Sequence, residues 1–171
     1  MLALANKGQF FYLRGVLTTT ILWLVYTALE IKRCWYMNDY VRVLVMLAIF
    51  GDGFGGYYCE LYARSFIFDK ILHIFCIYSL ALFGYILAIQ LQPGSLSRSL
   101  CFILTVGLGL GIGVLFEIIE FIIDKLFQPV PPSQPSLLDT NLDLVSDLAG
   151  ALLAGFHAAS GKLSVHRQPF K

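Results

Sequence analysis

The stretch Ser97–Lys125, SRSLCFILTVGLGLGIGVLFEIIEFIIDK, decides the fold class of this chain. Its central part, residues 99–116, contains no acidic, basic or histidine side chain. Roughly 18 consecutive apolar residues are enough to cross the hydrocarbon core of a bilayer as an α-helix. The stretch therefore predicts a transmembrane helix, with acidic residues gathered near its C-terminal end.

Alternate glycines occupy the middle of this helix, at Gly107, Gly109, Gly111 and Gly113. A phosphate-binding loop would need a strand before it, and the sequence predicts none here, so we reject that interpretation. Small residues spaced four apart let two helix backbones approach closely in lipid. We therefore expect this helix to pack tightly against a neighbour.

The remainder of the chain has the same apolar character. Of 171 residues, 58% are hydrophobic and 13% are charged, whereas soluble domains carry about 25% charged residues. The predicted fold class is all-α, a polytopic membrane helix bundle of about five transmembrane helices in a single domain, residues 1–171. The predicted spans are residues 15–31, 41–59, 69–91, 97–124 and 142–160. Glycines within residues 51–56 predict a kink or break in the second span, and prolines within residues 128–135 predict an extended loop before the last.

Three other classes of protein are not favoured. The four cysteines form no CxxC pair, so we expect neither a disulfide framework nor a thiolate zinc site. The net charge of +1 comes without a long basic run, which gives no reason to expect a nucleic-acid partner. The apolar run at residues 15–29 is followed by Glu30-Ile31-Lys32-Arg33 rather than by a small-residue cleavage site, so we expect a retained helix rather than a signal peptide.

Ionisable residues concentrate on one side of the predicted bundle. Because successive spans alternate in direction, the second and fourth spans end on the side where the third and fifth begin. The ionisable residues at those ends are Asp52, Glu60, Asp69, Lys70, His73, Glu117, Glu120, Asp124, Asp139, Asp143 and Asp147. An ionised carboxylate costs about 2.5 to 3.5 kcal/mol at the centre of an inserting helix. Acids within the spans must therefore be protonated, paired, hydrated or bound to a cation.

Helical spacing places several of these side chains on shared faces. Glu117 and Glu120 fall within about 60° of one another on their helix, and Asp69 lies one turn before His73. We expect one polar recess between the third, fourth and fifth spans. If it holds a metal, the candidate ligands are Glu117, Glu120, Asp143, Asp147 and His73. The candidate catalytic residues are His73, as a general base, and Asp69, which would orient it.

The oxygen-rich donor set suits Mg²⁺, Mn²⁺ or Ca²⁺, and its histidine would also accept Zn²⁺ or Fe²⁺. Simpler interpretations apply to the outlying residues. Asp124 and Glu60 are expected to be interface carboxylates, and Asp139 a helix N-cap. His157, at the other end of the last span, is expected to be an interfacial residue without a partner.

Four short motifs lie in order between Asp69 and Ala151. They are Asp69-Lys70-x-x-His73, Glu117-x-x-Glu120, Asp139-Thr140-Asn141-x-Asp143 and Gly150-Ala151. In this order they resemble the YjdF-type inner-membrane proteins and, more loosely, the VanZ-like proteins. Asn141 stands where that pattern has Gln, the preceding loop is rich in Pro rather than in Gly and Asp, and Asp147 is an additional acid. The resemblance implies a multi-pass protein of the bacterial inner membrane with site residues at these positions, and it implies no particular reaction.

Three functions stay open on this sequence. The first is a small membrane enzyme whose divalent cation acts on or binds a lipid or isoprenoid phosphate head group. The second is a cation or proton transport component, since intramembrane acids and histidines form relays; without an inverted repeat, such a small carrier would work as a homo-oligomer. The third is a structural or partner-binding membrane protein, in which the acids bond one helix to another.

The distribution of basic residues predicts the topology. Seven of the 12 Lys and Arg residues fall on the side of the C-terminus, and five fall on the side of the acidic cluster. By the positive-inside rule, the C-terminus then lies in the cytoplasm and the acidic cluster lies outside. Labelling of a C-terminal tag in intact and permeabilised cells measures this directly, and a tag reached in intact cells would reverse the assignment.

Overall fold

The structure is a computed structural model that describes residues 10–33, 35–91, 95–130 and 132–163, with residues 10–15 described by their backbone alone. All regular secondary structure in these ranges is helical. The predicted all-α fold class is therefore confirmed. Three basic residues that enter the charge count for topology, Lys7, Arg167 and Lys171, lie outside the described residues.

Six α-helices and one π-helical segment make up the described part of the chain. They are α1 Phe10–Arg33, α2 Asp39–Phe50 with its π-helical continuation Gly51–Tyr58, α3 Leu61–Arg64, α4 Phe66–Gln90, α5 Arg98–Phe127 and α6 Leu137–Ala159. By length and composition, four stretches of the described residues can cross a membrane: 39–58, 66–90, 98–127 and 137–159. The predicted additional span lies within α1, whose 24 residues extend about 36 Å.

Side-chain caps determine where the long helices begin. Serines cap three of them, at Ser65, Ser97 and Ser136. Ser136 Oγ accepts a hydrogen bond from Asp139 N at 3.1 Å, which satisfies a backbone donor of the first turn. Helix α6 therefore begins at Leu137, earlier than the predicted residue 142. The expectation that Asp139 is the N-cap is wrong, because Ser136 takes that position and leaves the Asp139 carboxylate free to reach another helix.

The glycine-rich segment after α2 continues the helix with π geometry rather than ending it. Two of its glycines, Gly53 and Gly56, are buried. A β-carbon on Gly53 would lie 3.0 Å from Val16 Cγ2 of α1, and one on Gly56 would overlap the ring of Tyr62. The missing side chains therefore let α1 and α3 pack closely against this segment. π-Helical turns are frequent at functional sites, and this one carries Asp52.

A buried ion pair fixes the corner between α1 and α2. Glu30, which is 8% exposed, accepts hydrogen bonds from Arg42 Nη2 at 2.7 Å and Nη1 at 3.1 Å. Its Oε1 also accepts from Met37 N at 3.2 Å. A bidentate guanidinium and a backbone amide together satisfy the carboxylate, as a buried charge requires.

Helix α6 lies against α4 and α5, with which it shares its most extensive contacts. Only some of the four alternate glycines of α5 make the expected close approach to a neighbouring helix. A β-carbon on Gly109 would lie 2.7 Å from Ala151 Cβ, whereas one on Gly107 or Gly111 would meet nothing within 4 Å. Gly150 of α6 faces α4, where a β-carbon would collide with the carbonyl oxygen of Ile74. Glycine thus sets the distance between α6 and both of its neighbours.

The two kinds of glycine should respond oppositely to a methyl group. Gly150→Ala should lower the free energy of unfolding by about 1 to 3 kcal/mol, because the Ile74 backbone cannot move aside cheaply. Gly111→Ala is the matched control and should be neutral or stabilising by up to about 1 kcal/mol, since Ala is the better helix former. Unfolding in mixed detergent and SDS micelles measures each. Equal destabilisation by the two substitutions would contradict the close packing of α6 on α4.

Candidate functional site

The expected convergence of ionisable side chains is present as direct contacts between elements. Helix α4 begins, α5 ends and α6 begins at one end of the bundle, and the end of the α2 π-helical segment lies there too. Side chains of α4 reach α6, and the loop before α6 reaches α5. The polar groups of this end form three connected parts: a lysine cluster, a histidine–aspartate pair and a loop-bound glutamate.

Lys70 is the centre of the first part. Its Nζ donates to Asp139 Oδ1 and Asp143 Oδ1, each at 2.6 Å, and to Asp69 Oδ2 at 2.8 Å. The lysine side chain is 13% exposed, so it points into the bundle. One ammonium group has three donors, and three carboxylates are within its reach. Three negative charges share one positive charge here.

His73 lies one turn further along α4 and bonds to α6. Its Nδ1 lies 2.9 Å from Asp147 Oδ1, and its Nε2 lies 3.5 Å from Asp143 Oδ1. Asp69 Oδ1, the predicted orienting group, is 3.8 Å from Nε2. The shortest contact of the imidazole is therefore with Asp147, while Asp69 has its shortest contact with Lys70. The aspartates of α6, which are spaced four residues apart, thus meet α4 with Asp139 and Asp143 at Lys70 and with Asp147 at His73.

Glu117 of α5 is held by the loop that precedes α6. Gln134 Nε2 donates to Glu117 Oε2 at 2.8 Å and to the Glu117 carbonyl oxygen at 2.9 Å. Gln134 is itself fixed, since Asp124 accepts from the amides of Ser133 and Gln134, each at 2.8 Å. Asp124, expected to be an interface carboxylate, therefore anchors the loop to α5. Gln134 was not singled out by the sequence, because a polar residue in a proline-rich loop has no periodicity that would place it.

Two buried carboxylate oxygens lack a hydrogen-bond partner among the described residues. They are Glu117 Oε1 and Asp147 Oδ2, on side chains of residues that are 6% and 1% exposed. Each carboxylate is held through one oxygen and leaves the other free. The free oxygen of Asp147 lies against α5, where a β-carbon on Gly113 would stand 2.5 Å from it. Buried oxygens without a partner are costly, so a ligand or a proton is needed at this position.

Four of the five predicted metal ligands fall into two groups of neighbouring side chains, and the fifth, Glu120, does not. Donor atoms of His73, Glu117 and Asp147 lie within 4.8 Å of one another, as do donor atoms of Asp69, His73 and Asp143. Glu120 belongs to neither group and is half-buried beside them. Side chains within such a distance of one another can share a single cation. His73 belongs to both groups.

A separate contact extends the polar region toward the π-helical segment. Tyr62 OH donates to Asp52 Oδ1 at 2.7 Å. Burial, together with the nearby Asp52, raises the pKa of the Tyr62 phenol well above its usual range. The phenol therefore stays the donor, and Asp52 has a partner of its own outside the two groups.

Comparison with known proteins places the chain in a family of membrane proteins. A family model described as "Predicted membrane protein (DUF2238)" matches residues 1–162, and the chain therefore belongs to this family. An "Uncharacterized protein" of Thermotoga maritima is 30% identical over 115 residues, which cover 64% of this chain and 56% of that relative. The chain thus aligns with little more than half the length of that relative. No solved structure matches.

Loss of the shared ammonium group should destabilise the bundle. Lys70→Gln leaves three carboxylates crowded without a cation, and removing one partner from such a buried cluster costs about 3 to 5 kcal/mol. Arg64→Gln is the matched control, because Arg64 pairs with Glu60 at the surface and its side chain is 69% exposed. Surface pairs contribute less than about 1 kcal/mol. Unfolding by SDS titration compares the two, and a small effect of both would contradict the central place of Lys70.

Proposed function

We propose that this family member holds a divalent cation between α4, α5 and α6, and that the cation binds the phosphate of a lipid head group. The proposed ligands are Glu117 and Asp147, with His73 beside them. The observation that carries the proposal is the pair of buried oxygens, Glu117 Oε1 and Asp147 Oδ2, that lack a protein partner among the described residues. Both belong to side chains that are already held in place through their other oxygen.

The charge balance of the cluster supports a bound cation. Lys70 is already shared by three carboxylates. Among the described residues, His73 is the basic side chain whose donor atom lies within 4.8 Å of those of Glu117 and Asp147. Carboxylates within a membrane span are expensive when ionised, and a divalent ion would offset two of them at once. The alternative compensation is a proton on one of the pair, which crowding and burial favour.

The donor set indicates the kind of cation. Two carboxylate oxygens suit Mg²⁺ or Mn²⁺, and the imidazole extends the range to Zn²⁺. So few protein ligands leave coordination positions for water or for a phosphate oxygen, which is how Mg²⁺ commonly binds its substrates. The hydrogen bond from His73 to Asp147 Oδ1 orients that carboxylate, as outer-shell partners of metal ligands do.

The position of the cluster favours a membrane-borne ligand. The proposed ligands Glu117 and Asp147 each lie ten residues, about 15 Å, in from the ends of α5 and α6 on this side, within helices that are long enough to cross the bilayer. A phosphate-bearing lipid, such as an isoprenoid phosphate, could therefore reach the cation from the bilayer. The resemblance to YjdF-type proteins supports the bacterial inner membrane as the location. Asp143 and Glu120 would act here as nearby acids rather than as ligands, and Asp69 would act through Lys70.

Metal removal tests the site. EDTA should lower the melting temperature of the purified protein, and Mn²⁺ should restore it, because a ligand that binds only the folded state stabilises it by about 2.7 kcal/mol at 100 times its Kd. Glu117→Gln and Asp147→Asn should each abolish the response to Mn²⁺. Glu60→Gln is the matched control, since it removes an acid at the same end of the bundle but away from the two groups, and it should respond as the wild type does.

The same melts separate binding from a purely structural role. If the cluster only joins helices or carries protons, EDTA has no effect and the two amide variants are as stable as the wild type or more so, because an expensive buried charge has gone. That result would overturn the proposed metal site. Binding of the phosphate is tested separately: phosphatidic acid should raise the melting temperature only when Mn²⁺ is present. A stabilisation independent of Mn²⁺, or one that persists in Glu117→Gln, would rule out coordination through the cation.

A further inference from the structure

A lateral groove runs between α4 and the end of α6, on a part of the surface that the acidic cluster does not use. Its volume is about 740 Å³. Its walls are apolar and come from both helices, with Ile74 and Phe75 on one side and Leu153 and Phe156 on the other. A groove with such walls, open from the side of a transmembrane bundle, has the shape and chemistry to receive part of a lipid chain.

Polar groups line the groove where α6 ends. Tyr78 OH lies 2.6 Å from His157 Nδ1 and 2.9 Å from Tyr40 OH, so three helices contribute to this end. The sequence-based expectation that His157 has no partner is therefore wrong. The Tyr78 contact uses Nδ1, and His157 lines the groove, so Nε2 is its remaining hydrogen-bonding atom. Ser160 and Lys162, which follow the last turn of α6, complete this end.

The charge at this end is positive and not neutralised by the described part of the chain. Lys162 makes no ion pair with any described acid. The opposite end of the groove begins at Ile71, which directly follows Lys70 and its three carboxylates. An anionic head group would be repelled from that acidic end and attracted to Lys162. An anionic amphiphile would therefore bind in the groove in one orientation, with its head group at Lys162.

We propose that this groove is a binding site for an anionic phospholipid, with the phosphate at Lys162 and His157 and one acyl chain along the wall formed by Phe75, Leu153 and Phe156. The occupant follows from the complementarity of the two parts: a cationic end beside the last turn of a membrane helix, and an apolar channel leading away from it. Basic residues next to transmembrane helices attract anionic lipids in this way. This site is separate from the metal cluster and does not depend on it.

Native mass spectrometry of the protein in a neutral detergent tests the site, with phosphatidylglycerol as the probe and phosphatidylcholine as the neutral comparison. We expect one phosphatidylglycerol per chain to be retained at concentrations where phosphatidylcholine is not. Lys162→Gln should weaken retention about five-fold, the amount that one basic residue near the surface contributes. Arg98→Gln is the matched control, because Arg98 is an exposed cation at the first residue of α5 and does not line the groove.

The acyl part has a separate variant, Leu153→Trp, which fills the channel from an exposed position on α6 and should also reduce retention. A melting temperature equal to that of the wild type shows that each variant is folded. Equal retention of the two lipids, or equal loss in the Lys162 and Arg98 variants, would overturn the proposal. So would a lipid-free dimer in which a second copy of the chain occupies the groove. Retention that survives Glu117→Gln and EDTA confirms that the groove, and not the metal cluster, holds the lipid.

Discussion

The sharing of one ammonium group by three carboxylates is the interaction on which the polar end of this bundle depends. Lys70 and Asp69 come from α4, whereas Asp139 and Asp143 come from α6. The two hydrogen bonds from Lys70 to Asp139 and Asp143 fix the height of α6 against α4, and that height places Asp147 at His73. Gly150, one turn further along α6, then meets the backbone of α4. An apolar interface in lipid has little hydrophobic drive of its own, so the polar cluster and the glycine contact supply the specificity.

The sequence predicted which elements meet at this end but not how their side chains pair. Alternating spans and the four-residue spacing of Asp139, Asp143 and Asp147 were enough to bring the acids together. Spacing places side chains on a face and does not choose among partners, so it could not separate Glu117, which the loop holds, from Glu120, which lies outside both groups. The alternate glycines of α5 likewise show that spacing alone does not identify contacts. They have the same spacing, and only the three-dimensional packing distinguishes Gly109 from Gly111.

The bundle has two chemically different ends. The acidic end gathers carboxylates from α4, α5 and α6 and leaves two oxygens without a protein partner in the described residues. The other end gathers aromatic hydroxyls, His157 and Lys162 beside an apolar groove. Opposite charge at opposite ends orients a protein in a membrane and also selects what each end attracts. A cation at the first end and an anionic head group at the second are complementary to these charges.

The hydrogen bonds that hold the loop before α6 against α5 also restrict where residues can be inserted into the chain. Asp124 and Glu117 hold Ser133 and Gln134 against α5, and the cap of α6 follows directly at Ser136. Residues 128–130 lie outside this hydrogen-bonded part of the loop, so an insertion there would lengthen a surface bulge and leave the helices in place. An insertion between Gln134 and Ser136 would instead displace α6 along its axis by about 1.5 Å and rotate it by about 100° for each added residue, if the helix followed the loop. Asp139 and Asp143 would then miss Lys70, so homologues of different lengths should concentrate their insertions before residue 132 rather than after it.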